Sequence, residues 1–187
     1  MARIDGNAGN NTRTGGDEDD TIRGFGGHDH LFGGRGHDII NGGSGNDSIE
    51  GGRGFDDLTG GSGRDDFRFF QGDSGPSFGG ADIIRDFNTN DDKITFVGGL
   101  SPKGSEDNYV EFNIRGTGSH ENDHVNHYNF ALDLARHDIG GNVQFAFYTD
   151  GKDGFLFADM NHNGVVDTGI ELKGLASLND FSHLNIF

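Results

Sequence analysis

Four consecutive nonapeptides, GGRGHDIIN, GGSGNDSIE, GGRGFDDLT and GGSGRDDFR, fill residues 33–68. Glycine holds the first, second and fourth place of each, and aspartate the sixth (Asp38, Asp47, Asp56, Asp65). A large apolar residue holds the eighth: Ile40, Ile49, Leu58 and Phe67. A unit of nine has room for one tight loop and one very short strand. Strand side chains alternate faces, so one apolar residue per unit points inward. A flexible Gly/Asp-rich linker would have no reason to keep an apolar residue at every eighth place. The chain is therefore expected to stack, repeat on repeat.

The loop half of the unit has its own chemistry. Glycine is needed where φ is positive or where backbone must approach a ligand closely. Aspartate is a hard oxygen ligand, and calcium takes several oxygens, backbone carbonyls included, at about 2.3–2.6 Å. Each loop thus reads as half a calcium cage. Composition agrees: 31 acidic residues against 14 basic give a net charge of −17, which suits cation binding and argues against nucleic acid as a partner. Cysteine is absent, so disulfides and thiolate metal sites are excluded. No apolar run is long enough to span a membrane. The start, MARIDGNAGNN, has no apolar segment of the Sec signal type.

The repeat G-G-x-G-x-D-x-U-x resembles that of the RTX family of calcium-binding proteins. The resemblance implies an all-β fold: a parallel β-roll in which two nonapeptides make one coil and calcium sits between loops stacked on the same side. Paired loops are then every second repeat, with Asp20, Asp38 and Asp56 on one edge and Asp29, Asp47 and Asp65 on the other. Four Asp-bracketed sites result (20/38, 29/47, 38/56, 47/65), hence about four or more calcium ions. Carbonyls of the loop would complete the cages, among them those of Gly34, Gly36, Gly43, Gly45, Gly52, Gly54, Gly61 and Gly63. The resemblance further implies a secreted, extracellular protein that uses a type I secretion apparatus. Low cytosolic calcium would leave the repeat unfolded and threadable, and millimolar calcium outside would fold it.

Upstream, residues 6–14 (GNAGNNTRT) look like a worn repeat, with Asn11 at the aspartate place and Arg13 at the apolar place. That pattern suits a polar end cap or a frayed tail. Residues 15–23 keep Asp20 and Ile22 but carry Glu18 in place of the third glycine; residues 24–32 keep Asp29 and Leu31 but carry Phe25 in place of the second. Downstream, FRFF begins a longer strand, and QGDSGPSFGG is a loop. D-I-I-R-D-F followed by D-K-I-T-F is similar to the segment closing the β-roll in serralysin-type secreted metalloproteases. That likeness implies terminal calcium ligands at Asp73 and Asp82, which otherwise read as turn and surface aspartates.

Residues 109–114 alternate as a strand. Residues 125–139 carry both helical spacing (Val125, Tyr128, Leu132, Ala135, Ile139) and strand alternation (Phe130, Leu132, Leu134). The β context favours a strand over 128–135. VQFAFYT, GFLFAD and GIELKGL are three further strands. The closing residues, with Asp180 followed by Phe181, Leu184, Ile186 and Phe187, resemble the serralysin-type ending. The expected organisation is a roll over 1–72 with degenerate first repeats. A β-sandwich-like, β-rich C-terminal cap follows over 73–187, with an insertion at about 101–142.

Two other motifs stand out. HENDH, His120–His124, satisfies H-E-x-x-H, with His127 a further turn along. The place where a metzincin has its third histidine is Phe130, so the motif reads as coincidental and no catalytic site is assigned. Asp159, Asn161, Asn163, Gly164 and Asp167 give the first nine positions of an EF-hand-like loop, with Ile170 at the twelfth. This is either a further calcium site or a polar hairpin turn. The functional expectation is a calcium-binding module, not an enzyme, that folds on binding and supports secretion and stability. Alternatives are a calcium-dependent polysaccharide-binding or adhesin module and a fragment of a secreted metalloprotease. In the first, a sugar face would draw on Tyr109, His120, His124, His127, Tyr128 and Arg136.

Overall fold

In this computed structural model, which describes residues 1–77, 79–97, 109–113, 124–139, 144–175 and 186, each nonapeptide builds one short strand around its apolar position. The strands are β1 (Arg3–Asn7), β2 (Thr12–Thr14), β3 (Thr21–Gly26), β4 (His30–Arg35), β5 (Ile39–Ser44), β6 (Ser48–Arg53), β7 (Asp57–Ser62) and β8 (Asp66–Phe70). Odd strands form one sheet and even strands the other. All pair in parallel with the strand one coil away. The register puts Ile22 beside Ile40 beside Leu58, and Leu31 beside Ile49 beside Phe67. These six side chains are all 0 % exposed, so the eighth-place residues stack in two columns that face each other. This is the parallel β-roll expected from the repeat.

The first coil closes with polar groups. Arg13, at an apolar place, sends its Nε to the carbonyl of Asp5 and one Nη to that of Thr12, so the worn repeat acts as an end cap. Phe25 keeps the glycine conformation at φ 75° despite its Cβ, with its ring half exposed.

Past the repeats the roll continues for another half-coil on each face. β9 (Asp82–Ile84) joins β7 and β10 (Lys93–Val97) joins β8, both in parallel, and Ile84 and Ile94 extend the two apolar columns. The odd sheet then grows beyond the roll. β14 (Thr168–Leu172) pairs with β9, followed by β13 (Gly154–Ala158), β12 (Phe145–Thr149) and β11 (Tyr109–Asn113). Every residue of β12, β13 and β14 is buried, which is why FAFYT and GFLFA read as nearly continuous apolar runs, while β14 buries Thr168 and Glu171 as well. One face of this extension packs onto the roll: Phe145 lies 5.4 Å from Phe96 of β10, and Phe147, Leu156, Ile170 and Leu172 join the core cluster that contains Ile22 to Ile94.

The other face is covered by α1 (His124–Asp138). The strand expected over 128–135 is therefore corrected to a helix. Helical spacing wins because Tyr128, Ala131, Leu132, Ala135 and Ile139 bury one stripe against Ala146, Tyr148, Phe155 and Phe157. Leu134, which strand alternation would have buried fully, packs only partly.

Candidate metal centre

Each repeat turns through a loop, and the sixth-place aspartates end up inside the stack. The Asp20 N–H donates to Oδ1 of Asp38, and that of Asp38 to Oδ1 of Asp56 (2.7 and 2.8 Å). On the other edge Asp29 donates to Asp47 and Asp47 to Asp65 (2.8 and 2.9 Å). The every-second-repeat pairing is thus a carboxylate ladder, each Oδ1 held by the backbone one coil earlier.

The second carboxylate oxygen has no such partner. Oδ2 of Asp29, Asp38, Asp47, Asp56, Asp65 and Asp82 is buried and accepts no hydrogen bond among the described residues. A buried anionic oxygen without a donor is costly unless something positive faces it. The surroundings fit a hard cation. A Cβ added at Gly42 would overlap Oδ2 of Asp47 and lie 2.6 Å from the carbonyl oxygen of Gly60, so two oxygens converge on one point. Gly24, Gly33, Gly51 and Gly60 hold the corresponding places against Asp29, Asp38, Asp56 and Asp65. The second- and fourth-place glycines are required for a different reason. Gly54, at φ 145°, would drive a methyl into the carbonyl oxygen of Gly36. Gly34, Gly36, Gly43, Gly45, Gly52, Gly61 and Gly63 share the positive φ. Carbonyls therefore crowd between stacked loops where only glycine leaves room, beside carboxylates that lack a donor. Oxygen-only cages of this kind suit calcium.

Electrostatics point the same way. Burial pushes the carboxyl groups of Asp56 and Asp65 up to about 7, and their neighbours Asp38 for the first and Asp92 and Asp47 for the second add repulsion. Asp38 and Asp47 are raised by burial too, and Asp82 is raised well above the carboxylate range. Without a counter-charge, Asp56 and Asp65 keep their protons up to about pH 7.

Residues 5–40 and 41–68 match the family description of the RTX calcium-binding nonapeptide repeat. Residues 5–68 are RTX calcium-binding repeats. Two similar solved structures are subunits of the Azotobacter vinelandii mannuronan C5-epimerase. AlgE6R3 is 24 % identical over 97 % of this chain and 80 % of that one, and AlgE6R2 is 26 % identical over 93 % and 90 %, both at TM-score 0.42. No curated protein matches the chain.

The RTX ladders outrun the RTX repeats. Asp56 donates its N–H to Oδ1 of Asp82, and Asp65 to Oδ1 of Asp92, both at 2.9 Å. Asp82, expected from the serralysin likeness, is 0 % exposed and stands squarely in line. Asp73 lies alongside, and its charge adds to the upward shifts of Asp56 and Asp82. Its own Oδ2 accepts from the N–H of Phe70, so it is turned into its loop. Asp92 and Asp86 were not among the residues expected from sequence. Asp86 accepts the N–H groups of Gly60 and Gly61, closing the last loop of that edge. A signal for Asp92 existed: Asp82-Ile83-Ile84 and Asp92-Lys93-Ile94 repeat the D-x-U triplet of the nonapeptides, with the glycine loop replaced.

At the other end the aspartate ladder changes. Asn11 stands at the aspartate place and donates its N–H to Oδ1 of Asp29. Oδ2 of Asp20 accepts the N–H of Gly16, so unlike the later aspartates it already has a donor.

The 159–167 loop is the turn between β13 and β14. Both oxygens of Asp159 and of Asp167 accept hydrogen bonds from within the loop, Gly164 N–H to Asp159 at 2.7 Å and Met160 N–H to Asp167 at 2.8 Å among them. Oδ1 of Asn161 and of Asn163 accepts from Asn163 N–H and Val165 N–H. The polar hairpin turn accounts for these groups. His120–Asp123 of HENDH lie outside the described residues, as does Asp180. Tyr128 leaves the expected sugar face: it is 0 % exposed, and its hydroxyl donates to the carbonyl of Pro76.

Proposed function

We propose that the roll is a calcium-dependent folding switch, with six ions bracketed by Asp20/38, 38/56 and 56/82 on one edge and Asp29/47, 47/65 and 65/92 on the other. The observation that carries this reading is the set of buried Oδ2 atoms without donors at Asp29, Asp38, Asp47, Asp56, Asp65 and Asp82. Carbonyls of the second- and fourth-place glycines supply the further ligands. One buried apolar residue per nonapeptide offsets little of the chain entropy lost on ordering nine residues. The cations make up the difference, and each loop serves two intervals, so folding is cooperative in calcium.

The role that follows is extracellular. Cytosolic calcium is too low to fold the roll, so the chain leaves the cell unfolded by a type I route. Millimolar calcium then folds it and stabilises whatever it is attached to. Circular dichroism in EDTA and in millimolar calcium tests this. The expected result is a steep gain of β signal with calcium, and a poor substitute in magnesium, which demands compact octahedral geometry. Equal spectra in EDTA and calcium would overturn the reading.

A further inference from the structure

The fifth place of the repeat lies beside the ligand aspartate, yet its residue type varies: Asn10, Asp19, His28, His37, Asn46, Phe55 and Arg64. Along one edge, His28 N–H donates to Oδ1 of Asn10, Asn46 N–H to Nδ1 of His28, and Arg64 N–H to Oδ1 of Asn46 (2.8, 2.8 and 3.0 Å). Along the other, His37 N–H donates to Oδ1 of Asp19 and Phe55 N–H to Nδ1 of His37 (2.8 and 3.0 Å). This second ladder runs opposite to the aspartate ladder, because here the earlier coil accepts. All five side chains that have a repeat loop one coil ahead are acceptors. Phe55 and Arg64, which have none ahead, are not.

Resting on the calcium reading above, we infer that the fifth-place side chains are positioning residues that aim the fourth-place carbonyls into the cation cages without touching the cation. In a trans peptide the C=O and N–H of one unit point in opposite directions. Anchoring the fifth-place N–H back onto the previous coil therefore turns the fourth-place carbonyl toward the next one. The carbonyl oxygens of Gly27, Gly36 and Gly45 do lie against Gly45, Gly54 and Gly63 of the following coil. Room for the anchor comes from the same glycines. A Cβ at Gly27 or Gly63 would sit 2.9 or 3.0 Å from Oδ1 of Asn10 or Asn46, tighter than such contacts tolerate. Histidine works at this place only as the tautomer with its proton on Nε2, since a backbone N–H must donate to Nδ1. That fixes His37 Nδ1 as an acceptor, although the Phe55 carbonyl also lies 3.2 Å away.

Calcium isotherms and nitrogen-15 NMR of the full chain test this. His28→Leu removes the anchor of Asn46 N–H. It should weaken calcium binding about three- to tenfold, the equivalent of one net hydrogen bond, and speed exchange of the Asn46 amide. His28→Asn keeps an acceptor and should restore both. Arg64→Leu, with no loop ahead to anchor, should change neither. Should His28→Leu fail to fold, the pair Asn46→Leu and Asn46→Asp, read at Arg64, repeats the comparison. The tautomers of His28 and His37 in the calcium-loaded parent need no variant at all. Binding by His28→Leu equal to the parent, an equal loss in Arg64→Leu, or a proton on Nδ1 would each overturn the inference. A parent chain that binds no calcium would instead overturn the reading beneath it.

Discussion

The roll and the cap solve the same packing problem with opposite means. In the roll each strand from β3 to β7 buries one aliphatic side chain, and its nonapeptide spends most of the remaining residues on a glycine loop. In the cap, Tyr128 packs edge to face on Phe155 and Phe157, and Tyr148 on Phe157, with ring centroids 5.4–6.2 Å apart, and every position of β12, β13 and β14 is buried. Stacked buried carboxylates whose Oδ2 accepts no hydrogen bond run along the roll to the β9 aspartate, whereas the cap's buried Asp153 and Glu171 share the ammonium of Lys173. Apolar burial can hold the cap's helix-covered face without a cation. The roll's design leaves a charge deficit that only a cation or protons fill.

Chelation should therefore separate the two regions, and this is the largest effect expected. In EDTA, amide exchange should become fast throughout β1–β8, while amides of α1, β12 and β13 remain slower. The boundary should fall near β9 and β14, where the extended sheet passes from one regime to the other. Simultaneous loss of protection in α1 and β5 would show that the cap has no stability of its own.

The contrast explains how much the sequence revealed. The roll was legible because its physics is local and repeated. Nine residues specify loop, strand and inward side chain, and the stacking register follows from Asp38 and Ile40 recurring one coil later as Asp56 and Leu58. Where the repeat lost its glycines the rule held, but the reading faltered. Asp92 continues a ladder after a loop that shares nothing with GGxG, so only its D-x-U triplet announced it. In the cap nothing is repeated. Residues 128–135 satisfy both periods, and the choice between them was made by Phe155 and Phe157, which offer an apolar face for a helical stripe to cover. Tertiary packing of that kind is invisible to a window of ten residues.

Within the roll, interior and end aspartates should differ. Asp47 is shared by two intervals, 29/47 and 47/65, whereas Asp20 brackets one and already satisfies Oδ2 with Gly16. Asp47→Ala should cost two calcium ions in calorimetry, worth about 3 kcal/mol at about 1 mM calcium if each site has a Kd near 10⁻⁴ M. Asp20→Ala should cost one ion or fewer. Equal losses would argue against cages shared between successive coils.

The same substitution made in both regions sharpens the comparison. Gly54 and Gly164 both have positive φ, at 145° and 79°. A methyl at Gly164 meets nothing within 4 Å, so Gly164→Ala should cost only the left-handed backbone, about 1–2 kcal/mol in thermal unfolding. At Gly54 the methyl overlaps the Gly36 carbonyl, so Gly54→Ala should also disturb calcium binding on that edge. Calcium stoichiometry distinguishes the two: unchanged for Gly164→Ala, reduced for Gly54→Ala.

The smallest effect, and the one most specific to the roll, is its response to pH. Burial raises the carboxyl groups of Asp56 and Asp65 to about 7 in the metal-free fold, far above their value in an unfolded chain. A group raised on folding favours the folded state while protonated. Its contribution is complete below the unfolded value near 4 and is lost as pH rises through about 7. Metal-free roll should thus gain residual structure between pH 7 and pH 4, and none above. Calcium needs the ionised carboxylates, so the dependence on added calcium has the opposite sign. Binding should release protons at pH 6, and the calcium midpoint should move to higher concentration as pH falls from 8 to 5.5. Calorimetry at pH 6 in two buffers of different ionisation enthalpy measures the released protons directly. The cap supplies the control, because its folding buries no stacked carboxylate ladder. Near-ultraviolet signals from Tyr128 and Tyr148 should hold steady over that range while the roll's calcium midpoint moves. Midpoints that stay fixed with pH would mean that the buried carboxylates are charged before calcium arrives, and that some other group already neutralises them.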